Sequence, residues 1–547
     1  MTFIGSIFLT NLYLYLYGKI FSFFLFRNIK NSNAEVGILG CIIVSFFALV
    51  LNFFLPLNKF INTLLLIFPF IIISIKWIIS KKDIIFVIIS TLFTSIVIAF
   101  SNINTPDAGL YHLPYVQILN EHKIILGLSN LHSRFGHVSI IQYLSAINFN
   151  YIGGIKGVLI PLGSIMAFIF LYFFEETIRY IKSQEKLNLN NIFCLFVLIY
   201  ISYKANRYSG YGNDAPAHLL FFYLISVFLK SSINYDSLKK LSYISTYIFL
   251  NKITLIFAFL LPFYFFLKEK KKIKILISIP TLFLFLWFLK NIFISACAIY
   301  PLDKVCFDKL DWSNKDETIK QSILGEAWSK GWPDRENKSL NMEEYLNDFK
   351  WFQTWSKVHL NYIYKLLLPF LMFLAIIILL INFFKNRESF IRFKLKEDER
   401  NKLFYLLSIL ILANIVFIIK FPLYRYGYSL LISLIILLST FFIFRYNIKN
   451  INLIFKYLSI LCFTIICFKQ IIRINNKFEI RPIWPSISSF RYDDKMFYYE
   501  KKDIGNNYHI YTSNKECLYN KAPCTNNFDE RLIHKKQLGY DILVIKN

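Results

Sequence analysis

Residues 36–55 read VGILGCIIVSFFALVLNFFL, twenty residues without a charge. At about 1.5 Å per residue a helix of that length reaches about 30 Å, the hydrocarbon thickness of a bilayer. Runs of the same character, some slightly short, recur along most of the chain. Helical spans are expected near 3–26, 36–55, 61–79, 84–100, 152–174, 190–204, 217–230, 241–250, 253–267, 273–290, 361–383, 403–419, 427–444 and 452–468. Hydrocarbon offers no partner to backbone N–H and C=O groups, so helices or closed barrels alone cross it. The expected fold class is therefore an all-α polytopic membrane protein of about 14 transmembrane or half-spanning helices. Composition agrees. Of 547 residues 56% are hydrophobic and only 17% charged, which excludes a water-soluble protein of this size. With 59 Phe and 35 Tyr against 18 Gly and 15 Pro, collagen-like and Pro/Gly-rich disordered chains are excluded as well.

The net charge of +27 taken alone would point to nucleic acid or to an anionic membrane surface. Its distribution decides for the membrane. The loops near 27–35, 80–83, 175–189, 231–240, 268–274, 384–402 and 445–451, with Lys230, hold 24 Lys and Arg against 11 acids, whereas the short loops of the other side hold eight Lys and Arg. By the positive-inside rule the first set faces the cytoplasm, as in a multi-pass membrane protein. The N-terminus, the loops 101–150, 205–216 and 291–360, the turn 421–427 and the tail then lie outside. This gives a transmembrane domain over 1–468 and a periplasmic C-terminal cap over 469–547. No nucleic-acid partner is expected, and residues 1–26 lack the basic start and small-residue cleavage site of a signal peptide.

The cysteines give an independent check. Cys41, Cys194, Cys462 and Cys467 fall inside expected spans, where a thiol is a small apolar side chain. Cys297 with Cys306 and Cys517 with Cys524 form two close pairs, both on the expected outer side, and are expected to be local disulfides. Four unpaired loop thiols are the alternative.

None of the 34 carboxylates is expected in the middle of a span, and the lysines within spans, Lys19, Lys76, Lys156, Lys365 and Lys456, mostly lie near ends from which they can snorkel. A proton- or ion-coupled transporter, which keeps ionisable groups at membrane depth, is thereby disfavoured. Each half of the pair 241–267 is short for a full span, and basic runs flank it on both sides. A hairpin turning at Asn251 and Lys252 keeps both runs on one face, and broken helices of this kind usually line a cavity.

Polar chemistry concentrates in the outer loops. In TPDAGLYHLP, residues 105–114, a single acid follows a span. Asp107 at the mouth of an apolar bundle can take a proton from an attacking hydroxyl or hold a metal on a phosphate; its plainer role is to cap the turn before a helix. An amphipathic stretch is expected over Pro114–Leu126. Nearby stand Tyr111, His112, His132, Arg134 and His137, and ANRYSGYGNDAP at 205–216 adds Arg207 and Asp214. Lys252 and Arg425, the latter in FPLYRYG, belong to the same expected depth. Such a cluster suits an anionic substrate, since Arg binds phosphate through a fixed fork and Lys as a point charge; for each cation alone, an interfacial anchor is the plainer reading. The spacing of the three histidines matches no zinc motif.

The loop 291–360 holds 11 acids, nine Lys and Arg, and five of the eight tryptophans: Trp312, Trp328, Trp332, Trp351 and Trp355. Aromatic faces at a polar surface grip sugar rings, and they equally build interface belts and small cores. The clusters HIYTS and YDILVIKN in the tail predict a small α/β or β-rich cap.

The order of these features resembles the GT-C superfamily of membrane glycosyltransferases, and more narrowly a group of uncharacterised bacterial multi-span membrane proteins. The matching residues are Asp107, Tyr111, His112 and Pro114 in D-x3-Y-H-x-P, then Arg134-Phe135-Gly136, NDAP at 213–216, AIYP at 298–301 with Tyr300, and FPLYRYG at 421–427. The likeness covers most of 84–445 as an order of features. It implies a GT-C-like fold, a polyprenyl-phosphate-linked sugar as donor, and Asp107 as the acting acid of the first outer loop. Many members carry two acids in this loop, whereas here the single acid is followed by alanine. That departure leaves the need for a divalent metal ion open, with Asp214 as the obvious second acid.

The expected activity is inverting transfer of a sugar to a hydroxyl of a glycan, lipid or protein acceptor, among membrane lipids at the outer face of a bacterial inner membrane. Asp107 would be the base and His112 its helper, with Tyr111, Arg134, Arg207, Asp214, Lys252, Tyr300 and Arg425 around the substrate. The donor's prenyl tail would lie among the helices of 217–267. A polysaccharide polymerase or ligase would use the same chemistry on a longer glycan. A lipid-linked oligosaccharide flippase would need a cavity opening to both faces and no Asp107, and a structural or sensory protein would use the cap as its binding module.

Overall fold

A computed structural model of the chain describes residues 3–27, 29, 31–76, 79–100, 107–183, 187–204, 212, 214–269, 274, 278–383, 396–443, 451–476 and 498–546. Nineteen α-helices run through it: α1 (Phe3–Leu25), α2 (Asn33–Asn52), α3 (Lys59–Lys76), α4 (Lys81–Ile98), α5 (Leu113–Glu121), α6 (Ile140–Ile147), α7 (Ile160–Ser183), α8 (Leu189–Lys204), α9 (Asp214–Lys230), α10 (Tyr235–Asn251), α11 (Leu260–Lys268), α12 (Ile279–Ser295), α13 (Lys315–Ser329), α14 (Met342–Leu346), α15 (Trp351–Trp355), α16 (Asn361–Phe383), α17 (Glu397–Lys420), α18 (Tyr424–Ile443) and α19 (Ile451–Asn475). A helix overlaps every expected span. Among the described residues six stretches are long and apolar enough to cross a membrane: Phe3–Leu25, Asn33–Asn52, Gly154–Ser183, Trp351–Leu379, Glu397–Lys420 and Asn452–Asn475. Five shorter apolar helices join them, among them Leu189–Lys204 and Ile279–Ser295. The protein is a largely helical, multi-span membrane bundle with a small C-terminal β structure.

The outer surfaces of the peripheral helices confirm what surrounds them. On α3 the exposed large apolar residues are Phe60, Leu64, Ile67, Phe68 and Ile71, and on α4 they are Ile84, Ile85, Ile88, Ile89, Leu92 and Ile96, with the exposed lysines Lys59, Lys81 and Lys82 confined to the helix starts. Each set recurs at helical spacing, so each is one continuous apolar stripe that water would not tolerate and hydrocarbon would. In contrast α9 and α10 are buried along nearly their whole length. The tail among 217–267 expected for the donor therefore finds no open face on these two; the exposed apolar residues of this region are Ile253, Ile256, Phe263 and Leu267, around α11.

Packing inside the bundle is close where side chains are small. A Cβ on Gly18 would collide with the Val36 carbonyl, and one on Gly40 with the Leu14 carbonyl, so α1 and α2 touch backbone to backbone. Their starts are set by polar chemistry. Ser32 and Glu35 close a capping box at the start of α2, and Ser80 and Asp83 close one at the start of α4. Each box acid has a second duty. Glu35 binds Lys240 of α10 at 2.6 Å in a fully buried pair, and Asp83 binds Lys19 and accepts from Tyr15 Oη at 2.5 Å. These acids stand near helix ends, in keeping with spans that carry no carboxylate at their middle, but helices run further than the apolar runs suggest. α7 continues to Ser183 and carries a buried Glu176, paired with Lys230 at 2.8 Å and with Arg179. Lys240, placed in a loop from sequence, lies inside α10.

The tail forms strands β1 (Tyr499–Asp503), β2 (His509–Ser513), β3 (Cys524–Thr525), β4 (Leu532–Gln537) and β5 (Tyr540–Ile545). β1 pairs antiparallel with β2 from Tyr499↔Ser513 to Asp503↔His509, β3 joins β2 in parallel, and β4 and β5 form a hairpin from Leu532↔Ile545 to Gln537↔Tyr540. This β structure sits on the first loop. Leu126 N–H donates to Asp541 O at 2.9 Å and Leu543 N–H to Leu126 O at 2.9 Å, while Tyr519 Oη donates to Asn120 Oδ1 at 3.0 Å. α5, expected to be amphipathic, is consequently buried on both faces from Leu113 to Asn120. Both expected disulfides are formed, Cys297–Cys306 and Cys517–Cys524, and Cys41, Cys194, Cys462 and Cys467 are free.

The contact between α1 and α2 predicts a matched pair of outcomes. Gly40→Ala should lower the midpoint of thermal unfolding in detergent, with an overpacking cost of about 1–3 kcal/mol. Gly325→Ala, on a helix with nothing within 4 Å of the new methyl, should leave it unchanged or slightly raised. Equal effects would contradict the backbone contact.

Candidate functional site

Five separated segments meet at the end of the bundle beneath the tail. The first begins at Asp107. Pro114 has no N–H to give the Leu110 carbonyl, and the chain answers with a π-turn over Ala108–His112, in which Leu113 N–H reaches back to Ala108 O. Asp107 stands at its start without a capping hydrogen bond from its side chain, so the plain capping role is not the one observed. Its carboxylate instead accepts from Arg425 Nη1 at 3.1 Å. Leu518 N–H, next to the Cys517–Cys524 bridge, holds the turn from above through Gly109 O at 2.8 Å.

Arg425 sits in the first turn of α18. Its segment is fixed by Trp355 Nε1, which donates to Pro422 O at 2.7 Å, and by His218 of α9, whose ring meets Arg425 O at 3.0 Å and Ser429 Oγ at 2.7 Å. Beside it, Lys252 is ion-paired with Asp214, the first residue of α9. Lys252 is where α10 stops: its backbone is extended, φ −152° and ψ 108°, before a short 3-10 helix over Ile253–Phe259 leads into α11. The broken pair read from sequence is thus present, with its turn at the expected residue. Lys252 Nζ lies 4.5 Å from the centre of the Tyr426 ring and Arg425 Cζ 5.2 Å from it, so one aromatic ring is within cation–π reach of both cations.

His112 is buried at the centre of this arrangement. Gln142 Nε2 lies 3.1 Å from its Nδ1, Gln142 Oε1 accepts from Ser139 N–H at 2.7 Å, and Ser139 Oγ donates to Asn251 Oδ1 at 3.0 Å. A polar chain therefore runs from the π-turn through the start of α6 to the residue before Lys252. Tyr111 packs on the His112 ring at 4.4 Å and on that of His132 at 6.4 Å. Burial, the largest influence, pushes the His112 imidazole down to about 4, against the opposing pull of Asp107 and Asp214 and with the help of Arg425 and Lys252. All four charges are near enough to act on it.

Arg134 acts electrostatically on Tyr111, and burial together with Arg134 holds His132 down to about 4. The motif around it has a packing reason. Phe135 is fully buried, and a side chain on Gly136 would run into the ring of Tyr300, which also meets His137 edge-on at 5.1 Å. Tyr300 is delivered by the hairpin that Cys297–Cys306 closes, where Ala298 N–H donates to Val305 O at 3.0 Å. The structure thus brings together Asp107, Tyr111, His112, Asp214, Lys252 and Arg425, with Arg134 and Tyr300 alongside. Arg207 lies outside the described residues.

Sequence reasoning missed Gln142, Ser139, Asn251, Tyr426 and His218. The S-x-x-Q capping box at the start of α6 was a legible signal for two of them; their partners across 30 to 112 residues were not. The tryptophans of the long loop divide between packing and surface. Trp351 and Trp355 are buried in a small core that seats the loop, Trp312 Nε1 is tied to Ile292 O, Trp332 lies against Arg335 at 3.4 Å, and Trp328 is exposed. As to a metal ion, no three His, Cys, Asp or Glu side chains gather among the described residues, and Asp107 and Asp214 are each engaged by a cation. This donor set does not fit a metal centre of protein ligands alone.

Residues 1–432 match the family described as Domain of unknown function (DUF8201). The chain belongs to that family. The match ends within α18, so the DUF8201 region contains every member of the charged cluster and stops before α19 and the β tail. No curated protein and no solved structure matches the chain.

The buried imidazole makes stability pH-dependent. Between about 6.5, the ordinary histidine value, and about 4, the unfolded chain binds the proton and the folded one does not. Stability contributed by His112 is therefore complete above pH 6.5 and lost as pH falls toward 4, by about 3 kcal/mol in all. Unfolding midpoints measured from pH 7 to 4 should fall less steeply in His112→Gln than in the natural protein. Identical slopes would contradict the assignment.

Proposed function

We propose that the protein transfers a sugar from a polyprenyl-phosphate donor to an acceptor hydroxyl at the membrane face carrying the cluster. The observation that supports this reading is the pairing of Asp107 with Arg425, 318 residues apart, beside Asp214 and Lys252 and against a buried imidazole. A phosphoester that loses its sugar gains charge on one oxygen, and Arg425, Lys252 and Arg134 are the cations that would meet it. Phosphate draws Arg425 away from Asp107, which frees a carboxylate oxygen to act as base.

The step balances without a further reactant. The acceptor oxygen forms a bond to the anomeric carbon as its proton passes to Asp107. The bond from that carbon to the phosphate oxygen breaks, its electron pair leaving with polyprenyl phosphate, and the configuration inverts. His112, neutral and held by Gln142, orients the acceptor, and Asp107 afterwards gives its proton to water. Asp214 keeps Lys252 in place. The prenyl chain lies against Ile253, Ile256, Phe263 and Leu267, exposed apolar residues that follow Lys252 directly. No step is assigned to a metal ion.

The test is release of free polyprenyl phosphate from polyprenyl-phosphate-linked sugars by the purified protein. Asp107→Asn should fold normally and lose about 10²- to 10⁴-fold in rate. Arg425→Gln should lose both rate and donor affinity. Full activity of Asp107→Asn would overturn the base assignment, and transbilayer movement of the donor with no release from any sugar would replace transfer by flipping.

A further inference from the structure

The end of the bundle away from this cluster holds a second place where cations and aromatic rings line a cavity, unrelated to sugar transfer. Where α1 ends and α2 begins, Lys19, Ser22, Phe23, Phe26, Arg27 and Ile29 surround a cavity of about 380 Å³. Its polar lining residue Ser22 is held by an ordered network behind it: Asn31 Nδ2 donates to Ser22 Oγ at 2.6 Å, and Lys240 Nζ donates to Asn31 Oδ1 at 2.7 Å while paired with Glu35. Its walls are aromatic. Arg27 Cζ lies 4.8 Å from the Phe23 ring centre, and Lys239 Nζ lies 5.3 Å from that of Phe26.

The charges at this cavity do not cancel. Lys19 is matched by Asp83 and Lys240 by Glu35. Arg27 and Lys239 form no ion pair among the described residues; Asp236, one turn before Lys239, acts on it from a distance. Arg27 is exposed, so its guanidinium presents free donors at the rim. Phe23 and Phe24 continue outward as exposed apolar surface, 41% and 56% accessible, on a helix of the membrane bundle. A cationic rim, the Ser22 hydroxyl in the lining and an apolar flank in hydrocarbon ask for a ligand that is anionic at one end and aliphatic at the other. The volume admits a phosphate headgroup and leaves the chains outside, along Phe23 and Phe24.

We propose that this cavity binds the headgroup of an anionic phospholipid from the surrounding bilayer, with Arg27 and Lys239 on the phosphate and Ser22 on the polar headgroup. The bound lipid bridges α1, α2 and α10 and so stabilises the fold.

The test uses the full-length protein, delipidated in detergent and titrated with phosphatidylglycerol, with phosphatidylcholine and glycerol phosphate as parallel arms. Thermal unfolding and lipid retention in native mass spectra are the readouts. Phosphatidylglycerol should raise the unfolding midpoint saturably and stay bound, and Arg27→Gln with Lys239→Gln should weaken its binding roughly tenfold to thirtyfold. Arg27→Gln alone, at an exposed position, should show part of that loss, whereas Lys338→Gln on the long loop should show none. Equal stabilisation by phosphatidylcholine, or by glycerol phosphate without chains, would overturn the proposal, as would unchanged binding in the double variant.

Discussion

A chain surrounded by hydrocarbon must close its backbone hydrogen bonds within itself, and in this protein that constraint decides where irregular backbone is found. The bundle interior is helical throughout the described residues. At the end that carries the cluster the departures from helix are the π-turn at Ala108–His112, the extended Lys252, the Phe421–Leu423 bend and the hairpin closed by Cys297–Cys306. Irregular backbone is also where side chains can be aimed independently of a helix face. The groups able to do chemistry are therefore found at that end for a structural reason.

Electrostatics then divides the two ends by role. Away from the cluster, Glu35 and Lys240 are buried against each other, and breaking such a pair strands a charge in a medium that cannot solvate it. These contacts lock helices. Asp107 and Arg425 are about 39% and 52% exposed, and an exposed pair contributes little to stability and exchanges partners readily. Lys252, 9% exposed beside Asp214, is intermediate. An arriving phosphate can recruit Arg425 at small cost, which is what the proposed step requires, while the His112–Gln142–Ser139–Asn251 chain keeps the underlying geometry fixed.

Much of this organisation could be read from the chain itself. Apolar length located the helices, and Cys spacing with topology located both disulfides, because each is a local property. Asp107, His112, Lys252 and Arg425 were legible as polar residues of one end of the bundle, where they are found together. What escaped was set by distance in sequence. Glu176 was misplaced because α7 outruns its apolar stretch, and nothing local tells a helix to continue once its residues turn polar. α5 seemed half-solvated because its second cover, the β tail, lies some 400 residues away. That Trp351 and Trp355 are buried while Trp328 is exposed was not legible either, since composition does not say which ring faces inward.

The central claim is that the start of the π-turn of the first loop and the start of α18 lie in contact, which places Asp107 beside Arg425. Cysteine cross-linking of the variant pair Asp107→Cys and Arg425→Cys in membranes, with a short bifunctional thiol reagent, tests it most directly. The account predicts efficient cross-linking between these positions. A folded double variant that does not cross-link would contradict it.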